Sequence, residues 1–265
     1  MTHHEGARAN LLAAATDPDA EIASAALWID AEDYPDVDRG ACLDQLGEMA
    51  SELRTRGLSG DVIDVIGALL RDRVRLRGAG GGDPRAHYLH HVLERGSAVP
   101  IACAAVWMAV GRRAGVNVEG VGLPGHFVIR VEGTLVDAAS GAERLDESDV
   151  RRIVSDAIGR SPEHLDPSWL EPASVRSILV RMSHNLRACH ASLENWDLAL
   201  LAADRCVELL PDRAIERRDR GLLLWRMGRN QAALNDLRYY LECSPEASDV
   251  QGIQGVVGRL RSFMN

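Results

Sequence analysis

Between residues 6 and 77 the apolar positions recur at helical spacing. Ile22, Ala26 and Ile29 form one stripe, Leu43, Leu46, Met49, Ala50 and Leu53 a second, and Val62, Val65, Ile66 and Leu69 a third. Pro35 separates the first two, and Gly57 and Gly60 separate the second from the third. Gly78-Ala-Gly-Gly-Gly82 lacks the Lys-Ser/Thr ending of a phosphate loop and is expected to be a flexible linker. Asp83-Pro84 predicts a helix start, because Asp caps and Pro suits the first turn. That helix is expected to reach Glu94, with another running from Pro100 to just before Gly115.

From Val116 the period shifts toward strands. Val118, Val121, 126–131 and Thr134–Asp137 alternate between glycine-rich turns, and Glu132-Gly133 predicts a hairpin turn. Asp146 to Ile158 returns to helix, and so does everything beyond residue 172. There the pattern repeats: Ala199 matches Ala233, Val207 matches Leu241, and Pro211 matches Pro245, each 34 residues on. That is the tetratricopeptide period, and it predicts two helix pairs, 181–212 and 214–246, with a 250–264 helix as a cap. The sum is an α+β, mostly helical chain with one small antiparallel sheet. Three regions are expected: a helical segment 1–77 packing on the core, a core at 83–170, and helical repeats at 172–265.

Composition narrows the function classes. A net charge of −9 argues against non-specific nucleic-acid binding. No apolar run reaches the length of a membrane span, and the N-terminus has no cationic stretch leading into an apolar one. Five widely spaced cysteines, without a CxxC pair, read as reduced thiols in a cytoplasmic protein. No cofactor is implied.

Cys103, His126 and Asp137 fall in the order helix, strand, strand. That order suits acyl transfer in which a base activates sulfur and a carboxylate orients the base. Cys103 also sits in the apolar run 102–109, where a buried core thiol is the competing reading. His87 and His91 share a helix face and, with His126, could hold a divalent ion, although no Glu stands between them as in His-Glu-x-x-His. Arg217, Arg218 and Arg220 form a basic cluster that could take an acidic peptide, with Trp225 and Tyr239 as groove walls. The alternative is a charged face in which Asp219 ties the arginines together across the repeat.

The chain resembles the SirB-type bacterial proteins, in which a transglutaminase-like domain precedes tetratricopeptide repeats. The resemblance rests on Ala26-Leu27 with Glu32-Asp-Tyr-Pro35 and Asp38, Tyr88-Leu89 with 92–95, and Val99-Pro-Ile101. It continues through 120–127, Val136-Asp137, Arg181 with Asn185-Leu186, 218–222 and 236–241. It implies a papain-like core in which His126 takes the base position and Asp137 the orienting one. In the superfamily the thiol opens the long helix, and that slot here falls on Pro100, within Ala98-Val-Pro-Ile101. Cys103 lies about one turn, roughly 4.5 Å, further along. The segment after Asp137, Ala-Ala-Ser-Gly-Ala142, also departs from the family's Asp-Pro-Phe-Asn-Gly-Gly. The expected function is therefore a catalytically degenerate transglutaminase-like protein that binds a protein or peptide partner through its repeats. The alternatives are a cysteine-dependent hydrolase or acyltransferase using Cys103, His126 and Asp137, and a metal-binding protein using His87, His91 and His126.

Overall fold

A computed structural model describes residues 3–56 and 60–264, so the expected break at Gly57 lies outside the described residues. The fold is α+β and mostly helical, and the chain divides into two compact units, residues 1–182 and 183–265.

The first unit opens with four helices: α1 (His3–Thr16), α2 (Ile22–Asp33), α3 (Arg39–Arg56) and α4 (Val62–Val74). A two-residue strand β1 (Arg77–Gly78), helix α5 (Leu89–Arg95) and strand β2 (Ser97–Ala98) lead into α6 (Pro100–Arg113). Every residue of α6 from Ile101 to Gly111 is buried, so this helix forms the centre of the unit. It packs on α2, α3 and α4 and on a sheet of four antiparallel strands: β3 (Val118–Leu123), β4 (His126–Val131), β5 (Thr134–Asp137) and β6 (Glu143–Arg144). Close approach there depends on glycine. A Cβ on Gly111 would lie 2.5 Å from Val118 Cγ2, and one on Gly120 would lie 2.8 Å from Phe127 and 3.3 Å from Met108. Val118, Gly120, Phe127 and Ile129 therefore face α6. The opposite face, with Val121, Leu123, Val128 and Leu135, packs on Val150 and Val154 of α7 (Glu147–Ile158). The β4–β5 turn is Glu132-Gly133, as the sequence predicts, with φ of 45° and 89° at the two positions.

Two local expectations change. Gly78–Gly82 is not a free linker: β1 pairs in parallel with β2, the Gly78 amide donates to Ala139 O at 3.0 Å, and Ala79 N donates to Ala98 O at 2.8 Å. A Cβ at Gly78 would lie 2.7 Å from Ala139 O, so glycine here permits a backbone contact. The helix expected over 83–94 is interrupted. Asp83 does cap, accepting from Arg85 N at 3.0 Å, but only a 3₁₀ turn at Pro84–Ala86 follows. Tyr88 is extended and wholly buried, with its phenol donating to Asp33 at 2.6 Å, and α5 starts after it.

Helix α8 (Val175–Ser192) contains the boundary between the units. The second unit continues with α9 (Trp196–Leu209), α10 (Ala214–Arg226), α11 (Asn230–Cys243) and α12 (Val250–Met264). Helices α9 and α11 start and end 34 residues apart, as the repeat predicts. Glycine lets α10 pack closely on α11: a Cβ on Gly221 would meet Leu237 at 2.9 Å. Ile253, Val256, Val257 and Leu260 of α12 close the core made by Leu224, Leu234, Leu237 and Tyr240. No helix of the described residues is long and apolar enough to cross a membrane.

Candidate functional site

His126 opens β4 and Asp137 closes β5. Side chains alternate along a strand, so His126 shares the face of Val128, and Asp137 shares the face of Leu135. Both therefore stand on the α7 side of the sheet. The turn before His126 is Pro124-Gly125, with Gly125 at φ 71° and open only to glycine, since a Cβ would come within 2.4 Å of Ala157 in α7.

Asp137 Oδ2 accepts from His126 Nε2 at 2.9 Å and from Ser140 Oγ at 2.8 Å. Its Oδ1 accepts from the Ala139 and Ser140 amides at 2.9 and 3.2 Å. Burial pushes the Asp137 carboxyl up, but the hydrogen bonds from His126, Ser140 and Ala139 outweigh it and hold the group below its ordinary range. With Nε2–H given to Asp137, the lone pair of a neutral His126 is on Nδ1, which no described residue engages. The pair lines a cavity of about 420 Å³, together with Ser140, Glu143, Arg152 and Asp156. Sequence reasoning missed Ser140, although an Asp followed by Ser three residues on is a readable side-chain-to-backbone turn.

Cys103 lies on α6, which covers the other face of the sheet. It is fully buried, and its thiol donates to Ala98 O at 3.6 Å. Burial, helped by the Asp137 charge, pushes the thiol up to about 12. Its backbone amide is bonded to Val99 O at 3.0 Å. Pro100 is the first residue of α6, which suits a position whose amide has no helical partner.

The three histidines of the expected metal set do not converge. His87 is buried outside any α-helix and donates from Nε2 to Gly81 O at 3.0 Å, and burial pushes its pKa down. His91 bonds Glu94 at 3.3 Å and stacks beside His90, with ring centroids 3.9 Å apart. His90 and His91 instead border a second cavity of about 530 Å³ with Tyr34, Asp38 and Cys42. Fully buried Asp30 fixes that wall by accepting from His90 N at 2.7 Å and Nδ1 at 2.8 Å. Burial, with Asp30 and Asp38 adding to it, raises the Cys42 thiol to about 11.

The arginine cluster is paired within its own unit. Arg220 forms a bidentate pair with Asp236 at 2.6 and 2.8 Å and reaches Asp204 at 2.9 Å. Arg218 holds Asp219 at 2.6 Å and Asp249 at 2.8 Å. Arg217 lies 4.2 Å over the Tyr239 ring, with Asp236 no nearer than 3.8 Å. Arg259 covers Trp225 at 5.1 Å, and that indole packs on the repeat core. Of the cluster, Arg217 with Tyr239 keeps the loosest ties.

A family model for the transglutaminase-like superfamily matches residues 40–184, and one for the tetratricopeptide repeat matches 186–257. A UPF0162 protein of Xylella fastidiosa is 33% identical over 263 residues, covering 93% of this chain and 92% of its own. The UPF0162 protein PA3419 of Pseudomonas aeruginosa is 32% identical, with 85% of each chain covered. Protein SirB1 of Salmonella typhimurium is 26% identical over 61% of each. Tetratricopeptide repeats in general mediate protein–protein interaction.

Proposed function

The chain belongs to the transglutaminase-like superfamily, among the UPF0162 and SirB1 proteins, and from that membership we propose a binding protein that retains half of a thiol enzyme's machinery. In this reading His126 and Asp137 are the base and its orienter, and the nucleophile is lost. The observation that carries this reading is Cys103: buried, hydrogen-bonded to Ala98 O, and on the helix that covers the opposite face of the sheet. A nucleophile has to be a thiolate within reach of its base, and a thiol held at about 12 is protonated at neutral pH. The His126 cavity then acts as a polar recognition site. A carboxylate-oriented imidazole with a free Nδ1 accepts a hydrogen bond from a donor on a bound peptide or small ligand. The repeats supply the protein-interaction surface, with Arg217 and Tyr239 as its most available polar contact. Five free thiols support a reducing, cytoplasmic setting.

The rival reading, a cysteine hydrolase or acyltransferase, draws on the intact His126–Asp137 hydrogen bond and is separated by alkylation. Native protein is treated with iodoacetamide at neutral pH, and each thiol is followed by mass spectrometry. Exposed Cys243 is expected to react first and Cys103 to lag far behind it. Faster labelling of Cys103 than of Cys243, lost in His126→Ala, would overturn the binding reading in favour of the enzyme.

A further inference from the structure

Three side chains of the second unit, on consecutive helices, converge. They are His184 of α8, Cys206 of α9 and Glu216 of α10, and their ligand atoms all lie within 4.8 Å of one another. His184 Nε2 sits 3.0 and 2.9 Å from the two Glu216 oxygens. Cys206 and Glu216 are buried, while the His184 side chain is 36% exposed and gives a way in. We infer that His184, Cys206 and Glu216 form a site for one divalent transition-metal ion of the zinc type, with a fourth coordination position open.

The donor set decides the class of ion. One imidazole nitrogen, one sulfur and one carboxylate oxygen suit zinc or cobalt, not calcium or magnesium, which prefer all-oxygen shells. Bond lengths of such sites put tetrahedral ligand atoms about 3.3–3.6 Å apart. The His184–Glu216 edge is already near that, and the sulfur needs only a side-chain adjustment to close the triangle.

Charge balances as well. A dication with one thiolate and one carboxylate is neutral. Arg187, now 3.2 Å from Glu216, also holds Asp219 at 2.7 Å and retains that partner when a cation takes Glu216. Binding breaks the Cys206 S–H bond, forms a sulfur–metal bond and releases the proton to solvent, with no change of oxidation state. Without an ion, burial pushes this thiol up to about 12, so the sulfur waits as a neutral thiol.

The test is titration of the reduced, full-length protein with Co²⁺ in the absence of oxygen. One equivalent is expected to produce the near-ultraviolet band of a cobalt–thiolate bond, and added Zn²⁺ to remove it. Cys206→Ser should abolish the band, while Cys42→Ser/Cys243→Ser should keep it. His184→Gln changes a partly exposed side chain and should fold normally, so it tests the site even if Cys206→Ser does not fold. It should weaken Co²⁺ binding by about 10- to 100-fold. No band in the unaltered protein, a band that survives Cys206→Ser in folded protein, or undiminished binding by His184→Gln would each overturn the assignment.

Discussion

Replacing Arg220 with leucine removes a guanidinium that two helices depend on. Arg220, on α10, grips Asp236 of α11 with two short hydrogen bonds and Asp204 of α9 with a third. Asp236 is buried, so Arg220→Leu leaves a carboxylate inside the repeat with only Arg217 near, at 3.8 Å. Breaking one partner out of a buried ion pair costs about 3–5 kcal/mol. The Arg220 side chain is 22% exposed and Asp204 more so, and solvent screening lowers the expected loss to about 2–3 kcal/mol. Urea denaturation followed by circular dichroism measures it. At a slope near 1–1.5 kcal/mol per molar, the midpoint falls by about 2 M. Arg220→Leu/Asp236→Leu should recover part of the loss, because the orphaned charge is gone, giving a coupling above about 1 kcal/mol. A loss below about 0.5 kcal/mol would place the pair with ordinary surface bridges and refute the account of this cluster as internal structure.

Two further outcomes follow from the His126 cavity. Gly125→Ala forces a Cβ into the 2.4 Å approach to Ala157 at a positive φ, so thermal denaturation should show a loss of at least about 1–2 kcal/mol. Because Asp137 is held below its ordinary range in the folded state, its ionised form stabilises the fold above the unfolded carboxylate value, about 3.9. That contribution disappears as pH falls through the folded value, so the stability gap between the parent and Asp137→Asn should be widest at neutral pH and close in acid. A gap that widens on acidification would refute the sign.

What the sequence made legible was what local rules determine. The tetratricopeptide spacing is written in residues 34 apart, and the Glu132-Gly133 turn in two positions that need positive φ. What it hid depends on distant partners. The break at Tyr88 is made by Asp33, 55 residues away, and no propensity around Asp83-Pro84 reveals it. The glycine run looked loose because Ala139, which it meets, lies far along the chain. For the candidate site, the chain order of Cys103, His126 and Asp137 was plain. The faces on which they stand came only from strand pairing and from α6 and α7 packing on opposite sides. In the basic cluster, Asp219 stands in the sequence beside the arginines it pairs with, whereas Asp204, Asp236 and Asp249 come from other parts of the second unit and are legible only in the fold.

Helix α6 also constrains how the chain can be assembled during synthesis. Its residues 101–111 are apolar on every side, so the helix has no face that water can solvate. The helices that cover one flank, α2, α3 and α4, precede it on the ribosome, while the strands that cover the other, β3 and β4, follow it. Until residues near 131 have emerged, the nascent chain holds an oily rod in a half-built trough. Translation speed across this short stretch therefore bears on yield, and the interval just after α6 leaves the exit tunnel is when a chaperone has the most to shield.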